Sequence, residues 1–174
     1  MSPVPKDQTL APWTELRETL LGSFTARARG LFASDFALLD PEGREVGRLR
    51  VHGPEGAELK AGSLAARIER SAPRRYTMLA GGTRVLSAET ADSPDAMRIR
   101  RAECIYDADL SLLRNAAEAL SPAGDSSGRV VGGLTNRRYE ITFDAEDEGS
   151  LPVAVFLLYR LVALRRGAYR TGGG

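Results

Sequence analysis

Cysteine and histidine are almost missing: the 174 residues hold one of each, Cys104 and His52. A lone cysteine cannot close an intrachain disulfide, which excludes a disulfide-stapled scaffold and fits a reducing cytoplasm. Zinc draws on several Cys and His ligands, so a zinc site is excluded as well. Lysine is nearly as scarce, two residues against 22 arginines, a bias expected of a GC-rich, bacterial genome. An excess of either charge is also lacking. With 24 basic and 23 acidic residues the net charge is +1, unlike the strongly positive field of a dedicated nucleic-acid binder. No aromatic interleaving supports single-strand binding either. Residues 1–22 are polar, carry Pro3, Pro5 and Pro12, and lack the apolar h-region of a secretory signal. What remains is ordinary in amount: 43% apolar and 27% charged residues, enough for one domain with its own core and no need of a metal.

Residues 1–9 are small and polar and are expected to be flexible. In Leu10–Leu21, Trp13, Leu16 and Leu20 recur at i, i+3 and i+7, which predicts a short amphipathic helix starting near Pro12. Its single Arg17 against Glu15 and Glu18 favours a capping helix over a membrane-surface anchor. From Phe24 to Phe143 the pattern becomes that of many short strands, which suggests a sandwich or a barrel. Phe24–Gly30, Phe36–Leu39, Glu45–Val51, Leu64–Glu69, Tyr76–Leu79, Arg84–Leu86, Met97–Tyr106 and Tyr139–Phe143 are the candidates. Asp40-Pro-Glu-Gly43, Pro73, Gly81-Gly82, Ser93-Pro94-Asp95 and Gly132-Gly133 punctuate them as turns. Asp109–Leu120 is ambiguous between helix, from Leu110, Leu113, Ala117 and Leu120, and a strand pairing with Val130–Leu134; strand is preferred.

Leu151–Leu164, LPVAVFLLYRLVAL, is apolar on every face except at Arg160. Ser150 is expected to cap this helix, Asp144, Glu146, Asp147 and Glu148 to face its positive end, and Arg165 and Arg166 its negative end, with Gly167 as the stop. A helix apolar all round is buried in protein or in lipid. Fourteen residues span about 21 Å, against a hydrocarbon core of about 30 Å, so the helix is placed inside the protein. Arg160 must then reach a barrel mouth or pair with a carboxylate.

Many short strands followed by one all-apolar helix resemble the tubby C-terminal-like superfamily, which includes phospholipid scramblases and LURP-one-related proteins. The hairpin Phe36-Ala-Leu-Leu-Asp-Pro-Glu-Gly-Arg-Glu-Val46 is similar to that superfamily's units of apolar strand, D-x-x-G and apolar strand. Arg138-Tyr-Glu-Ile-Thr-Phe143, the acidic loop and Leu151–Leu164 resemble its last strand and helix. The resemblance covers residues 24–166 and implies a mainly β fold: an antiparallel tubby-like barrel threaded by a buried C-terminal helix. The domain is thus expected over 10–166, with helices near 10–21 and 151–166 and a flexible tail at 167–174.

Candidate chemistry is sparse. Cys104 reads as a small buried hydrophobe sharing a strand face with Ala102 and Tyr106, and His52 as a turn residue. No G-x-S-x-G occurs, so the chain is expected not to be an enzyme and to need no cofactor. Asp144, Glu146, Asp147 and Glu148 form an acidic run in a position similar to a scramblase calcium segment. They do not follow D-x-[DN]-x-[DN]-G, and compensation of the helix dipole explains them without a metal. Arginine pairs occur at Arg74-Arg75, Arg100-Arg101, Arg137-Arg138 and Arg165-Arg166. If Arg74, Arg75, Arg137, Arg138, Arg165 and Arg166 converge at one barrel end they can hold an anion through guanidinium forks. Scattered surface charge balanced by nearby acids carries the greater weight at this level.

The function expected from these residues and the resemblance is a non-catalytic module for anionic lipid headgroups or another phosphorylated ligand. The alternative is a structural or protein-interaction domain with no small ligand. Either would be cytoplasmic, the first peripheral at a membrane, with no transmembrane span and no nucleic-acid partner.

Overall fold

The computed structural model describes residues 6–171. Helix α1 (Lys6–Leu20) comes first. Strands β1 (Ser23–Arg29), β2 (Asp35–Leu39), β3 (Glu45–Val51), β4 (Gly56–Ala61), β5 (Leu64–Ala72) and β6 (Arg75–Ala80) follow. Then come β7 (Thr83–Thr90), β8 (Ala96–Arg101), β9 (Cys104–Ser111), β10 (Ala116–Leu120), β11 (Ser126–Gly132) and β12 (Arg138–Phe143). Helix α2 (Ser150–Thr171) ends the chain, and a single 3-10 turn, Gly53–Glu55, joins β3 to β4. Every strand pairs antiparallel with its sequence neighbours, and β1 pairs with β12, closing a twelve-stranded barrel without an edge.

Period-two patterning puts one face of each strand inside, as with Tyr139, Ile141 and Phe143 of β12. Many inward residues are small, among them Ala26, Ala57, Ala66, Ala88, Ala108 and Ala117. A barrel of this strand number lined by methyl groups leaves a lumen wide enough for a helix about 10 Å across. Helix α2 fills it. From Leu151 to Ala163 it is buried on every side, and it meets β3, β7, β10, β11 and β12. At Gly128 the strand comes close to the helix: a Cβ there would lie 3.3 Å from the Ala154 Cβ. Among the described residues no helix is long and apolar enough to cross a membrane.

The first hairpin shows how sequence sets a turn. Asp40 Oδ1 accepts from the amides of Glu42 and Arg44, both at 2.9 Å. Gly43 takes φ +83°, which a side chain would resist. The Arg44 amide, more than the Glu42 amide or the Arg44 guanidinium, holds the Asp40 carboxyl below its usual value against the opposing effect of burial.

Several expectations need correction. Helix α1 begins at Lys6, not near Pro12, so residues 6–9 are helical, whereas 1–5 lie outside the described residues. Pro12 sits inside the helix and removes only the amide that would bond to the Gln8 carbonyl. Met97–Tyr106 is two strands, because Ala102 enters the left-handed region at φ +52° and turns the chain. Strand β4 had no candidate among the runs. The ambiguous Asp109–Leu120 is strand, turn and strand, with Leu113 in the turn.

Ser150 does not cap α2: it is the first helical residue, and its Oγ donates back to the carbonyls of Asp144 and Asp147. Gly167 does not stop the helix either. It lacks the positive φ a glycine stop requires, so α2 continues to Thr171 and residues 167–171 are not a flexible tail. Residues 172–174 lie outside the described residues.

Candidate functional site

The two barrel mouths differ. At the entrance mouth, where α2 begins, α1 buries Trp13, Leu16 and Leu20 in the core, and Ser63 lies 3.5 Å from Glu15. Trp13 and Arg17 share a concavity with Arg101 and Glu148, so α1 covers this end. The exit mouth, where α2 emerges, has no such cover among the described residues. It is built from the hairpins β3–β4, β5–β6, β7–β8, β9–β10 and β11–β12 and the β1–β2 loop.

Charge is divided between the mouths. Entrance loops hold Asp40, Glu42, Glu103, Asp125 and the run Asp144–Glu148 against one base, Arg44. Exit loops and the end of α2 hold Arg74, Arg114, Arg137, Arg165 and Arg166 against Glu55, Asp92 and Asp95. A net charge of +1 therefore conceals an axial polarity.

The topology brings all six candidate arginines to the exit mouth, and each is differently engaged. Arg74, at φ +68°, pairs with the exposed Asp92 at 2.7 Å. Arg137 donates to the Gly30 carbonyl at 2.7 Å, tying β11–β12 to the β1–β2 loop. Among the described residues Arg138 has only a long contact, 3.9 Å, with Glu140. Arg165 donates to the Leu112 carbonyl and to Asn136 Oδ1, which also accepts from Asn115. Arg166 reaches the Val51 carbonyl at 3.4 Å. Arg75 borders a shallow basin of about 800 Å³ over β6–β9. There Arg75, Glu89, Arg98 and Asp107 stand in one cross-strand row of alternating sign, which largely neutralises itself. The fourth pair, Arg100-Arg101, lies towards the entrance mouth.

Leu31, Phe32, Leu113 and Leu134 are 92, 75, 96 and 100% exposed. They sit on the β1–β2, β9–β10 and β11–β12 connections. The barrel order places those connections side by side, on one arc of the exit mouth with Arg114, Arg137 and Arg138. Apolar residues rarely crowd into solvent without a partner. Sequence reasoning missed this arc. The available signal was leucine and phenylalanine inside segments otherwise punctuated as turns.

Arg160, anticipated at a mouth or beside a carboxylate, is 4% exposed and has no carboxylate within 4 Å among the described residues. Its guanidinium carbon lies 4.6 Å from the Tyr76 ring centroid, and Nη1 donates to the Tyr76 hydroxyl at 2.8 Å. Nε has no acceptor among the described residues. Arg160 borders a groove of about 540 Å³ running beside the end of α2, between the 3-10 turn and the β9–β10 hairpin. One residue earlier in α2, Tyr159 donates to the Gly53 carbonyl at 3.0 Å. Burial, then the neighbouring Tyr76, pushes its phenol well above the usual range.

The remaining candidates do not assemble into a reactive site. Cys104 is exposed, not buried, because it opens β9 directly after the turn at Ala102 and stands on the barrel rim. That is the entrance mouth, whereas His52, 3.5 Å from Glu58, is at the exit mouth. Asp147 accepts from the Gly149 amide at 2.8 Å and from the Tyr106 hydroxyl at 3.0 Å, and Asp144 accepts from the Glu146 amide at 3.0 Å. Among the described residues no group of three His, Cys, Asp or Glu side chains is placed to hold a metal ion.

No protein-family model matches the chain, and no curated protein matches it in sequence. Its fold is similar to the X-ray structure of a protein from Arabidopsis thaliana, AT5G01750. The TM-score is 0.57 at 11% identity, over 82% of this chain and 93% of that one. At that identity the likeness is one of fold.

Proposed function

We propose that the chain is a non-catalytic module that docks its exit mouth on anionic lipid surfaces, as a cytoplasmic protein peripheral to a membrane. The observation that carries this is the arc of Leu31, Phe32, Leu113 and Leu134 beside Arg114, Arg137 and Arg138. Apolar tips that enter the headgroup layer, flanked by cations that meet lipid phosphates, are the two attractions a peripheral protein combines. Likeness of fold to the Arabidopsis protein supports the barrel-and-helix architecture that the LURP-one-related, tubby-like resemblance implies, and the lipid-facing role rests on the arc itself.

Co-sedimentation with neutral phosphatidylcholine vesicles and with anionic phosphatidylserine vesicles, at low and physiological salt, tests it. Binding to anionic vesicles should persist in part at physiological salt, because apolar insertion is not screened. Each arginine near the surface contributes about 1 kcal/mol, so reversing Arg137 and Arg138 to Glu should weaken binding by a factor on the order of 100 or more. Phe32→Ser should remove the salt-resistant part. No binding to either vesicle, or binding blind to lipid charge and to these changes, overturns the proposal. Either result would turn attention to a protein partner for the same arc.

A further inference from the structure

The groove bordered by Arg160 is a separate feature from the exposed arc, and its occupant can be read from its walls. Val51, Leu112, Ala163 and Leu164 make it apolar, and among the described residues no carboxylate lines it. Two arginines line it, Arg160, which is buried, and Arg166, which is half-buried and reaches the Val51 carbonyl at 3.4 Å. Buried charges in proteins are ordinarily paired, because desolvating a lone guanidinium is costly. Among the described residues Arg160, 4% exposed, has one hydrogen bond, to the Tyr76 hydroxyl, and its Nε has no acceptor. The guanidinium carbon lies 4.6 Å from the Tyr76 ring centroid and Nη1 donates to the hydroxyl of the same ring, so the group is held at Tyr76 before any ligand arrives.

We infer that this groove binds a single amphiphilic anion, a carboxylate or phosphate head on an unbranched aliphatic body, with the head on Arg160 and Arg166. At about 540 Å³ the groove is within the ordinary range for small-molecule sites, about 300–1,000 Å³. Arg160 gains what its interior position lacks, a counter-charge, only when the head is present. The apolar walls explain why a bare inorganic anion does not suffice: two cations fix the head, and the hydrocarbon body gains from leaving water. The site goes beyond membrane docking, since it takes one molecule from solution and uses different residues.

Isothermal titration calorimetry of the full chain tests it, with dodecanoate and dodecyl phosphate below their micelle concentrations. Dodecanol, acetate and inorganic phosphate are the comparators. At least one of the two amphiphilic anions should bind at one per chain, and the tighter of them tells a fatty-acid-like from a phospholipid-like source. Dodecanol, without the charged head, should bind on the order of 10- to 100-fold more weakly. Acetate and inorganic phosphate should show no heat at the same concentrations.

Arg160→Met should cost at least about tenfold in affinity. Leu112→Trp, which fills the groove and leaves Arg160 in place, should block binding independently of the Arg160→Met result. Equal binding of dodecanol and dodecanoate, no binding of either anion, or affinity unchanged in Leu112→Trp overturns the inference. Arg137→Glu with Arg138→Glu should leave dodecanoate binding intact, while Arg160→Met leaves vesicle binding intact. Failure of one proposal is therefore distinguishable from failure of the other.

Discussion

Replacing Arg160 by methionine should make the protein more stable. The effective penalty for holding a guanidinium out of water is several kcal/mol. Against it stand one hydrogen bond from a charged donor to the Tyr76 hydroxyl, about 1.5–3 kcal/mol, and a cation–π contact of about 2 kcal/mol. These recover much of the cost but leave Nε without an acceptor. Methionine keeps the length of the aliphatic stem, adds buried apolar surface and carries no charge. Replacing buried ionic groups by apolar ones of similar volume ranges from neutral to a gain of about 1–4 kcal/mol, and a gain of about 2 kcal/mol, for a chain of this size about 4–8 °C in Tm, is expected here. Urea unfolding followed by circular dichroism measures it, with an unchanged slope certifying that only stability moved. A second variant sharpens the test. Tyr76→Phe should cost about 1.5–3 kcal/mol when Arg160 is present and under about 0.5 kcal/mol in the Arg160→Met background, a coupling that isolates the hydrogen bond. If Arg160→Met instead lost about 2 kcal/mol, the guanidinium's own contacts would outweigh its desolvation, and the reasoning would be refuted.

Three further outcomes follow from the packing and the titrations. Gly128→Val would press a side chain against Ala154 of α2, whose Cβ lies 3.3 Å from where the new Cβ would sit. It should cost about 1–3 kcal/mol in urea unfolding. Asp40, its carboxyl held below the ordinary 3.8 chiefly by the Arg44 amide, stabilises fully above that value and loses the contribution as pH falls through its folded pKa. Asp40→Asn should therefore lower stability near neutrality and flatten the acid limb of a pH–stability curve. Tyr106, raised by burial and then by Asp147, and Tyr159, raised by burial and then by Tyr76, both stay neutral beyond the ordinary 10.0. Their contribution is complete below that value and declines as pH rises above it. Phenolate absorbance should accordingly appear late and together with unfolding, and less steeply in Tyr159→Phe.

The fold was largely legible because its two main signals are strong. Period-two alternation located most strands, and a run with no polar face but Arg160 could only be interior. The failures are local and share a cause: a barrel overrides the punctuation of individual residues. Ala102 and Arg74 occupy left-handed turn positions that Gly, Asn or Asp would have announced. Gly167 reads as a stop, yet α2 continues past it. The site was legible only in outline. Alternating strand direction decides which arginine pairs share a mouth, and that needs the strand count, which the missed turn at Ala102 and the missed β4 would have spoiled. Arg160 was visible as an anomaly in its helix, but that it stacks on Tyr76 rather than meeting an acid depends on a partner 84 positions away.

Helix α2 itself demands an acidic entrance and a basic exit, because its dipole favours carboxylates at the first turn and guanidinium groups at the last, by about 0.3–1 kcal/mol each. Basic character at the exit mouth is therefore partly a by-product of holding a helix in a barrel, and charge alone does not identify a binding face. The residues that separate the two origins are those that do little for the fold. Arg165 bridges α2 to the β9–β10 and β11–β12 hairpins, and Arg137 ties down Gly30. Changing either should lower stability together with any binding. Arg138 has one long exposed contact, and Leu31, Phe32, Leu113 and Leu134 are mostly or wholly in solvent, so polar substitutions there should leave the urea midpoint within about 0.5 kcal/mol of wild type. A loss of vesicle binding at unchanged stability in Arg138→Glu and Phe32→Ser would show that the exit mouth is a binding surface. A loss that always tracked stability would reduce it to the helix's charge complement.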